Sequence, residues 1–372
     1  MTGADGFIGK NLCSRLEELG YYVHKFVRGT SLEILNQMLE EVTVVFHLAG
    51  VNRPTSNDEF KIDNEDFTRE LCNKLSEHLG VHPRDFSLVF ASSVSAVENT
   101  PYGLSKKAAE EEIAKFSGST GSKARILRLP NIFGKGCRPN YNSVVATFCK
   151  NAIAGEPLEI LNQERLLNLL YVDDLVDQLL VSMNSNEVSG EVLLTKELDG
   201  CQEISVGDLA TKVLKFDLDR RSGVLGATGS GFDRKLFATY ISYLPVESFV
   251  YKLAAKIDSR GSFAEFIKTH DSGQVSVFKC IPGEIRGRHY HNTKSEQFLV
   301  VQGTMRVRFE NIYSGERIDR VVSGENYEVI WAIPGWSHSF ENIGESESIA
   351  IVWANEVFDP AAPDTYSYPK DS

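Results

Sequence analysis

Thr2-Gly3-Ala4-Asp5-Gly6-Phe7-Ile8-Gly9 spaces its glycines as GxxGxxG. Glycines at this spacing let a chain leave a strand, turn tightly and open a helix whose first amide groups can hold a pyrophosphate. The flanking sequence agrees: Lys10 to Leu19 has helical apolar spacing and stops at Gly20, and Tyr21 to Val27 then reads as a strand. That strand ends at Arg28, about 20 residues past the loop, where an acidic residue would bind the ribose 2′-hydroxyl of NAD. An arginine pairs instead with a 2′-phosphate, so NADPH is the expected cofactor; a solvated strand-end arginine is the alternative. Only Met1 and Thr2 precede the loop, so the apolar strand that should lie at the centre of the sheet is missing. The expectation is an artefactual start, the alternative a sheet with a gap between its second and fourth strands.

Downstream, Val42 to Ala49 reads as a buried parallel strand ending at Gly50, and Phe86 to Ala91 as another ending at Ser92-Ser93. Pro101-Tyr102-Gly103-Leu104-Ser105-Lys106 then opens a helix, and four-residue spacing puts Tyr102 and Lys106 on one face. Hydride delivery to a ketone builds negative charge on its oxygen. A phenol, ordinarily at a pKa of ~10, can supply the proton if a nearby ammonium lowers that value. Tyr102 and Lys106 fit those roles, with Ser93 hydrogen-bonding the same oxygen. Only nine positions separate Ser93 from Tyr102, which leaves Ser92 and Ser95 as alternative hydroxyls.

These elements, together with His47-Leu48-Ala49-Gly50, Leu127 to Gly134 (LRLPNIFG) and Leu170 to Asp174 (LYVDD), follow one another in an order that resembles the extended short-chain dehydrogenases over roughly residues 2 to 240. That family comprises nucleotide-sugar epimerases, dehydratases and reductases. The resemblance implies a Rossmann-type doubly wound parallel sheet in an α/β domain, its first strand absent here. It implies cofactor contacts at Gly3, Gly6, Phe7, Ile8, Gly9, Arg28, Leu48 and Ala49, with Tyr102 and Lys106, the lysine holding the nicotinamide ribose. Asn131 would order the active-site helix or touch substrate, and Arg128 packs on its strand. Asn140 to Ser143 and Arg165 fall where relatives bind the nucleotide diphosphate, Arg165 being read equally well as a surface arginine.

Past Leu244 the texture changes to short alternating segments punctuated by glycine, among them Gln274 to Phe278, Gln297 to Val301, Met305 to Phe309 and Ser348 to Trp353, which predict a β-barrel. The expected division is therefore 1–245 and 246–372. Within the second part, Gly283, His289, His291, Glu296 and Gly303 are spaced as in the first cupin motif, and Pro334-Gly335-Trp336-Ser337-His338 with Asn342 as the end of the second. His289 and His291 alternate along a strand and so point the same way. With Glu296 and His338 they form a three-histidine, one-carboxylate set for one divalent metal, zinc being favoured over manganese, iron or nickel. Buried, hydrogen-bonded histidines are the plainer reading. Asp258 to Glu265, Ile285 to Tyr290 and Pro363 to Tyr366 also resemble the deoxy-sugar 3,5-epimerases, which implies His289 as the base. His289 coincides with an expected metal ligand, so if the barrel epimerises C3 the acid/base candidates are Lys294, Tyr290 and Tyr327, with Lys294 a substrate contact.

At 372 residues the chain is long enough for two cores. No apolar run reaches the ~20 residues that cross a bilayer, and a net charge of −12 argues against nucleic acid or an anionic membrane as partner. Six scattered cysteines without a CxxC pair suit reduced thiols and a cytoplasmic location. A reductase followed by a cupin resembles the bifunctional enzymes of capsular-polysaccharide synthesis. That implies C3 epimerisation of UDP-2-acetamido-2,6-dideoxy-β-L-arabino-4-hexulose in the cupin, then C4 reduction to UDP-2-acetamido-2,6-dideoxy-L-talose, in a homodimer. The alternative is a nucleotide-sugar 4-epimerase or dehydratase whose cupin serves only dimerisation or sugar binding.

Overall fold

The structure is a computed structural model that describes every residue except 184–189, 191, 253–255, 259–260, 264–267, 270–272, 357–360 and 369–372. It contains two compact units, Met1–Ile132 with Asn168–Glu203, and Phe133–Leu167 with Ile204–Ser372. The packing therefore does not divide at 245/246. Residues 133–167 and 204–245, which sequence texture groups with the dinucleotide domain, pack in the second unit. The reason is side-chain burial: Phe237 of the Gly231–Ile241 helix lies 6.4 Å from Trp331, and Asn355 donates to the Thr228 carbonyl at 3.2 Å.

The first unit is built on a parallel sheet in the order Val44–His47, Ser87–Ser93, Lys123–Leu129, Val192–Thr195. Its central strands are largely apolar because both faces are covered. Leu88 and Phe90 pack with Leu71, Leu75, Ile113 and Phe116 of the helices Phe67–Val81 and Pro101–Thr120. Val89 and Leu127 face the other way, onto Leu12 and Leu16 of Phe7–Glu18 and Leu175 and Leu179 of Val172–Met183. Each fully buried side chain of this kind contributes roughly 1.5–3 kcal/mol.

Thr2 stands where the first strand would run. It bridges His47 on one side and Phe26 on the other, both in parallel, with Thr2 N donating to Phe46 O at 3.0 Å and Phe26 N to Met1 O at 2.8 Å. Tyr21 to Val27 does not form the strand that its sequence suggests: Met1 and Thr2 offer it a short edge, met by the His24 carbonyl, which accepts from Met1 N at 2.8 Å, and by the bridge at Phe26. The glycine turn itself is complete. Gly3 has φ +66°, and a Cβ on it would come within 2.7 Å of the Ala49 backbone nitrogen. A Cβ on Gly9 would collide with the Gly3 carbonyl oxygen.

In the second unit two five-stranded antiparallel sheets face each other, as the all-β expectation requires. One runs Gln274–Cys280, Ser348–Ala354, Glu296–Gln302, Glu328–Ala332, Val250–Lys252; the other Arg317–Ser323, Thr304–Asn311, Trp336–Asn342, Ile285–Tyr290, Tyr366–Ser367. Phe298 of the first and Phe340 of the second have ring centroids 4.4 Å apart, and strand alternation places such residues inside. All six cysteines are free, and among the described residues no helix is long and apolar enough to cross a membrane.

Candidate active site and metal centre

Tyr102 and Lys106 lie on the first turns of a helix that the sequence delimits at both ends. Thr100 Oγ1 accepts from Gly103 N at 3.0 Å, Pro101 occupies the first helical position, and Gly121 closes the helix with φ +71°. Tyr102 is hydrogen-bonded to the Ser93 hydroxyl; burial pushes its phenol up, and that bond partly opposes the shift. Lys106 is buried, and burial brings its ammonium down to about 8, with the Glu110 carboxylate acting against the change. In this structure its Nζ donates to Ala91 O at 2.7 Å.

Ser92 and Ser93 part company. Ser92 donates to Glu110 Oε1 at 2.5 Å, and Arg128 grips the same carboxylate at 2.9 and 2.6 Å, so Arg128 does more than pack. Ser93 is left facing Tyr102, and Ser95 is half-buried beside it, its amide capped by Ser93 Oγ at 3.1 Å.

Residues that carried no sequence signal complete the surroundings. Asn64, in the π-helical turn Lys61–Asp66, accepts from Val51 N at 2.7 Å and donates to Val51 O at 2.9 Å and Ser105 Oγ at 3.0 Å. It ties the loop that follows the Val44–His47 strand to the helix that carries Tyr102 and Lys106. Thr68 Oγ1 gives its proton to Asn64 O, so His47 Nε2–H donates to Thr68 at 2.9 Å and His47 Nδ1 accepts from Thr2 Oγ1 at 2.7 Å. Burial first, and Lys106 second, bring His47 down to about 3, which keeps it neutral. Thr2 also accepts from Ala49 N at 3.2 Å, and its carbonyl from Leu48 N at 3.3 Å, so the turn that holds Gly3, Gly6, Phe7, Ile8 and Gly9 is fastened to Leu48 and Ala49. Arg28 is exposed and pairs with Asp63 at 2.8 Å. Asn131 is exposed in the first unit; Arg165 is exposed in the second, its carbonyl accepting from Val206 N at 2.9 Å.

In the barrel the four expected ligands converge: one ligand atom from each of His289, His291, Glu296 and His338 lies within 4.8 Å of the others. A bulge between Gly287 and His289, with Arg288 at φ +58°, restores the register that sets His289 opposite His338. His291 Nδ1–H donates to Asp364 O at 2.6 Å, which frees Nε2 to face Glu296 Oε2 at 3.1 Å. Burial alone would raise the Glu296 carboxyl, but His291 and His338 hold it well below its ordinary range. Burial lowers His289 to about 3 and also lowers His338.

These residues fit a divalent ion. Both ring nitrogens of His338 are buried without a hydrogen-bond partner, the nearest carboxylate oxygen standing 3.6 Å away. Three imidazoles with one carboxylate are the composition of a metal centre, and a bound ion would satisfy one of the two orphaned nitrogens. Lys294 Nζ sits 3.3 Å from Glu296 Oε1 and 3.0 Å from Thr365 Oγ1. Tyr290 turns to the opposite face, its ring 5.5 Å from Tyr366, and Tyr327 lies in a turn at φ +50°. The stretch 258–265 lies partly outside the described residues.

A doubly wound sheet with a glycine turn at its cofactor edge and a serine, tyrosine and lysine at the head of the next helix defines a nicotinamide-dependent dehydrogenase fold, here continued by an antiparallel barrel. Residues 1–194 match the profile of the NAD dependent epimerase/dehydratase family, and residues 256–366 that of the polysaccharide biosynthesis C-terminal domain. The chain belongs to the NAD dependent epimerase/dehydratase family, in the two-part form of the CapF-type enzymes of capsular polysaccharide synthesis. It is 43% identical over 368 residues, 99% of this chain and 97% of the other, to the UDP-2-acetamido-2,6-beta-L-arabino-hexul-4-ose reductase of Pseudomonas aeruginosa. The crystal structure of the capsular polysaccharide assembling protein CapF from Staphylococcus aureus matches with a TM-score of 0.65 and 36% identity over 98% of both chains. A CapF structure with the inhibitor 3-isopropenyl-tropolone matches at 0.60 and 33%, again over 98% of both.

Proposed function

We propose that this protein is a reductase of a UDP-linked 4-keto amino sugar, UDP-2-acetamido-2,6-dideoxy-β-L-arabino-4-hexulose, working in the cytoplasm as a homodimer. Full-length likeness to a reductase named for that sugar carries the reading. NADPH, when bound, supplies the hydride for C4. Tyr102 gives its proton to the C4 oxygen, Ser93 holds that oxygen through a hydrogen bond, and charged Lys106 stabilises the tyrosinate left behind. Burial raises the phenol and keeps it protonated before reaction, so its action as an acid depends on the Lys106 charge stabilising the tyrosinate as it forms. Sugar contacts are assigned to Asn131, Arg165 and Lys294.

The barrel, in the same proposal, inverts C3 before reduction, so that the product is UDP-2-acetamido-2,6-dideoxy-L-talose. His289, His291, Glu296 and His338 would hold one zinc ion, whose Lewis acidity supports loss of the proton next to a ketone. Lys294, beside Glu296, is the polar side chain placed to move a proton there.

Incubation of the keto sugar with NADPH in deuterated buffer tests both halves. One NADPH consumed per sugar, hydride at C4 and solvent deuterium at C3 are expected. Turnover without net NADPH consumption would instead identify a 4-epimerase or dehydratase, and protium retained at C3 would remove the barrel from the chemistry.

Arg28 is the proposed 2′-phosphate contact; its guanidinium is exposed and pairs with Asp63 at 2.8 Å. Arg28→Ala should cut the NADPH-over-NADH ratio of kcat/KM by about tenfold to a hundredfold, the cost of one charge-assisted hydrogen bond. Equal use of both cofactors by the unaltered protein would sink this assignment.

A further inference from the structure

We propose that Asp364 is a positioning residue for the metal cluster, fixing His291 and the turn that follows it, and that Arg234 of the Gly231–Ile241 helix holds Asp364 in place. The inference rests on the reading of the cluster as a metal site.

Asp364 lies 73 positions from His291 in sequence, yet it grips every residue between His291 and Lys294. Its carboxylate, in a residue 8% exposed, accepts from Asn292 N at 2.9 Å, Thr293 N at 2.6 Å, Thr293 Oγ1 at 2.8 Å and Lys294 N at 2.6 Å. Its carbonyl takes the His291 Nδ1 proton at 2.6 Å. The next residue, Thr365, pairs with Lys294 Nζ at 3.0 Å.

These bonds do two separate things. The carbonyl selects one tautomer of His291, so that Nε2 carries the lone pair on the side of Glu296; a group outside the ligand set that holds the far nitrogen both orients the ring and raises its basicity. The carboxylate fixes the turn that separates His291 from Glu296. Removing it lets two of the four ligands drift relative to His289 and His338, which sit on paired strands.

Arg234 Nη2 stands 2.7 Å from Glu356 Oε2 and 3.5 Å from Asp364 Oδ2. Its helix precedes the barrel in sequence and packs in the same unit. The barrel's ligand geometry is thereby linked to a segment that the barrel's own motifs do not include.

The test uses full-length protein purified without a histidine tag, with zinc affinity measured by chelator competition and the visible spectrum of the cobalt(II) form as a record of ligand geometry. Asp364→Asn puts an amide nitrogen against backbone N–H donors while keeping size. It should lower zinc affinity about 10- to 100-fold and alter the cobalt bands, with NADPH binding retained as a control for folding. Arg234→Met should shift both readouts in the same direction by less. Unchanged affinity and spectrum in Asp364→Asn overturn the proposal; if that variant does not fold, unchanged readouts in Arg234→Met overturn it. Failure of the unaltered protein to bind zinc or cobalt at all overturns the metal reading itself, a different outcome.

Discussion

Replacing Tyr102 by Phe is expected to reduce turnover of the keto sugar by about 10²- to 10⁴-fold, the range that one positioned acid supplies, with NADPH affinity left near that of the unaltered protein. Tyr102 is half-buried, and its hydroxyl meets that of Ser93. Phe keeps the ring against Phe60, whose centroid lies 5.6 Å away, so the loss should fall on kcat rather than on folding. The partner in the proposed chemistry is Lys106, whose ammonium burial brings down to about 8. Below that pH the ammonium is charged and stabilises the developing tyrosinate; as pH rises through about 8 the charge is lost. Turnover should therefore fall on the alkaline side, with His47, brought down to about 3 by burial and so neutral well above that pH, contributing nothing to the limb near neutrality. Steady-state kinetics across neutral and alkaline pH with titrated NADPH would check this, and a Tyr102→Phe variant turning over within about tenfold of the unaltered protein would falsify the acid role.

The second large effect concerns stability. Glu110 and Arg128 pair at 2.6 Å with side chains 9% and 14% exposed, and Ser92 completes the carboxylate's bonds. Glu110→Ala leaves the largely covered Arg128 guanidinium without its counter-charge, a loss of up to about 3–5 kcal/mol, the figure for a fully buried pair. The pair also joins the catalytic helix to the strands Ser87–Ser93 and Lys123–Leu129, so Tyr102 should lose its alignment with Ser93 as stability falls. Replacing both members by leucine should recover much of the stability, since a buried pair exchanged for apolar side chains is often neutral. Urea unfolding would measure both variants; a loss below about 1 kcal/mol in Glu110→Ala, the size of an exposed pair, would show that water reaches Arg128.

The glycine turn, the tyrosine–lysine pair and the members of the histidine–glutamate cluster could be picked out because each lies in a local pattern: a fixed spacing on one helix, one strand or one turn. Glu110 lies four residues past Lys106 and shares its helix face, yet its partners Ser92 and Arg128 come from two other strands that no spacing relates. Alternation along a strand shows that Ser92 and Ser93 point in opposite directions; which face the helix covers is a matter of packing. Asn64 sits in a stretch with neither helical nor strand period and becomes meaningful only when Val51 and Ser105 close around it. Tyr21 to Val27 misled in the opposite sense: its composition suits a strand, but a strand needs a neighbour, and Thr2 supplies a single rung.

By itself the sequence determined the two kinds of architecture, the cofactor turn and the side chains that could do chemistry, because short-range backbone geometry and residue type suffice for these. Tertiary structure decided the rest. It set the boundary of the second unit well before the first barrel strand, since Phe237 and Trp331 bury each other across the sequence. It chose the serine that meets Tyr102, and it joined Asp364 to His291, because hydrogen bonds between distant segments depend on where the chain folds back and not on spacing along it.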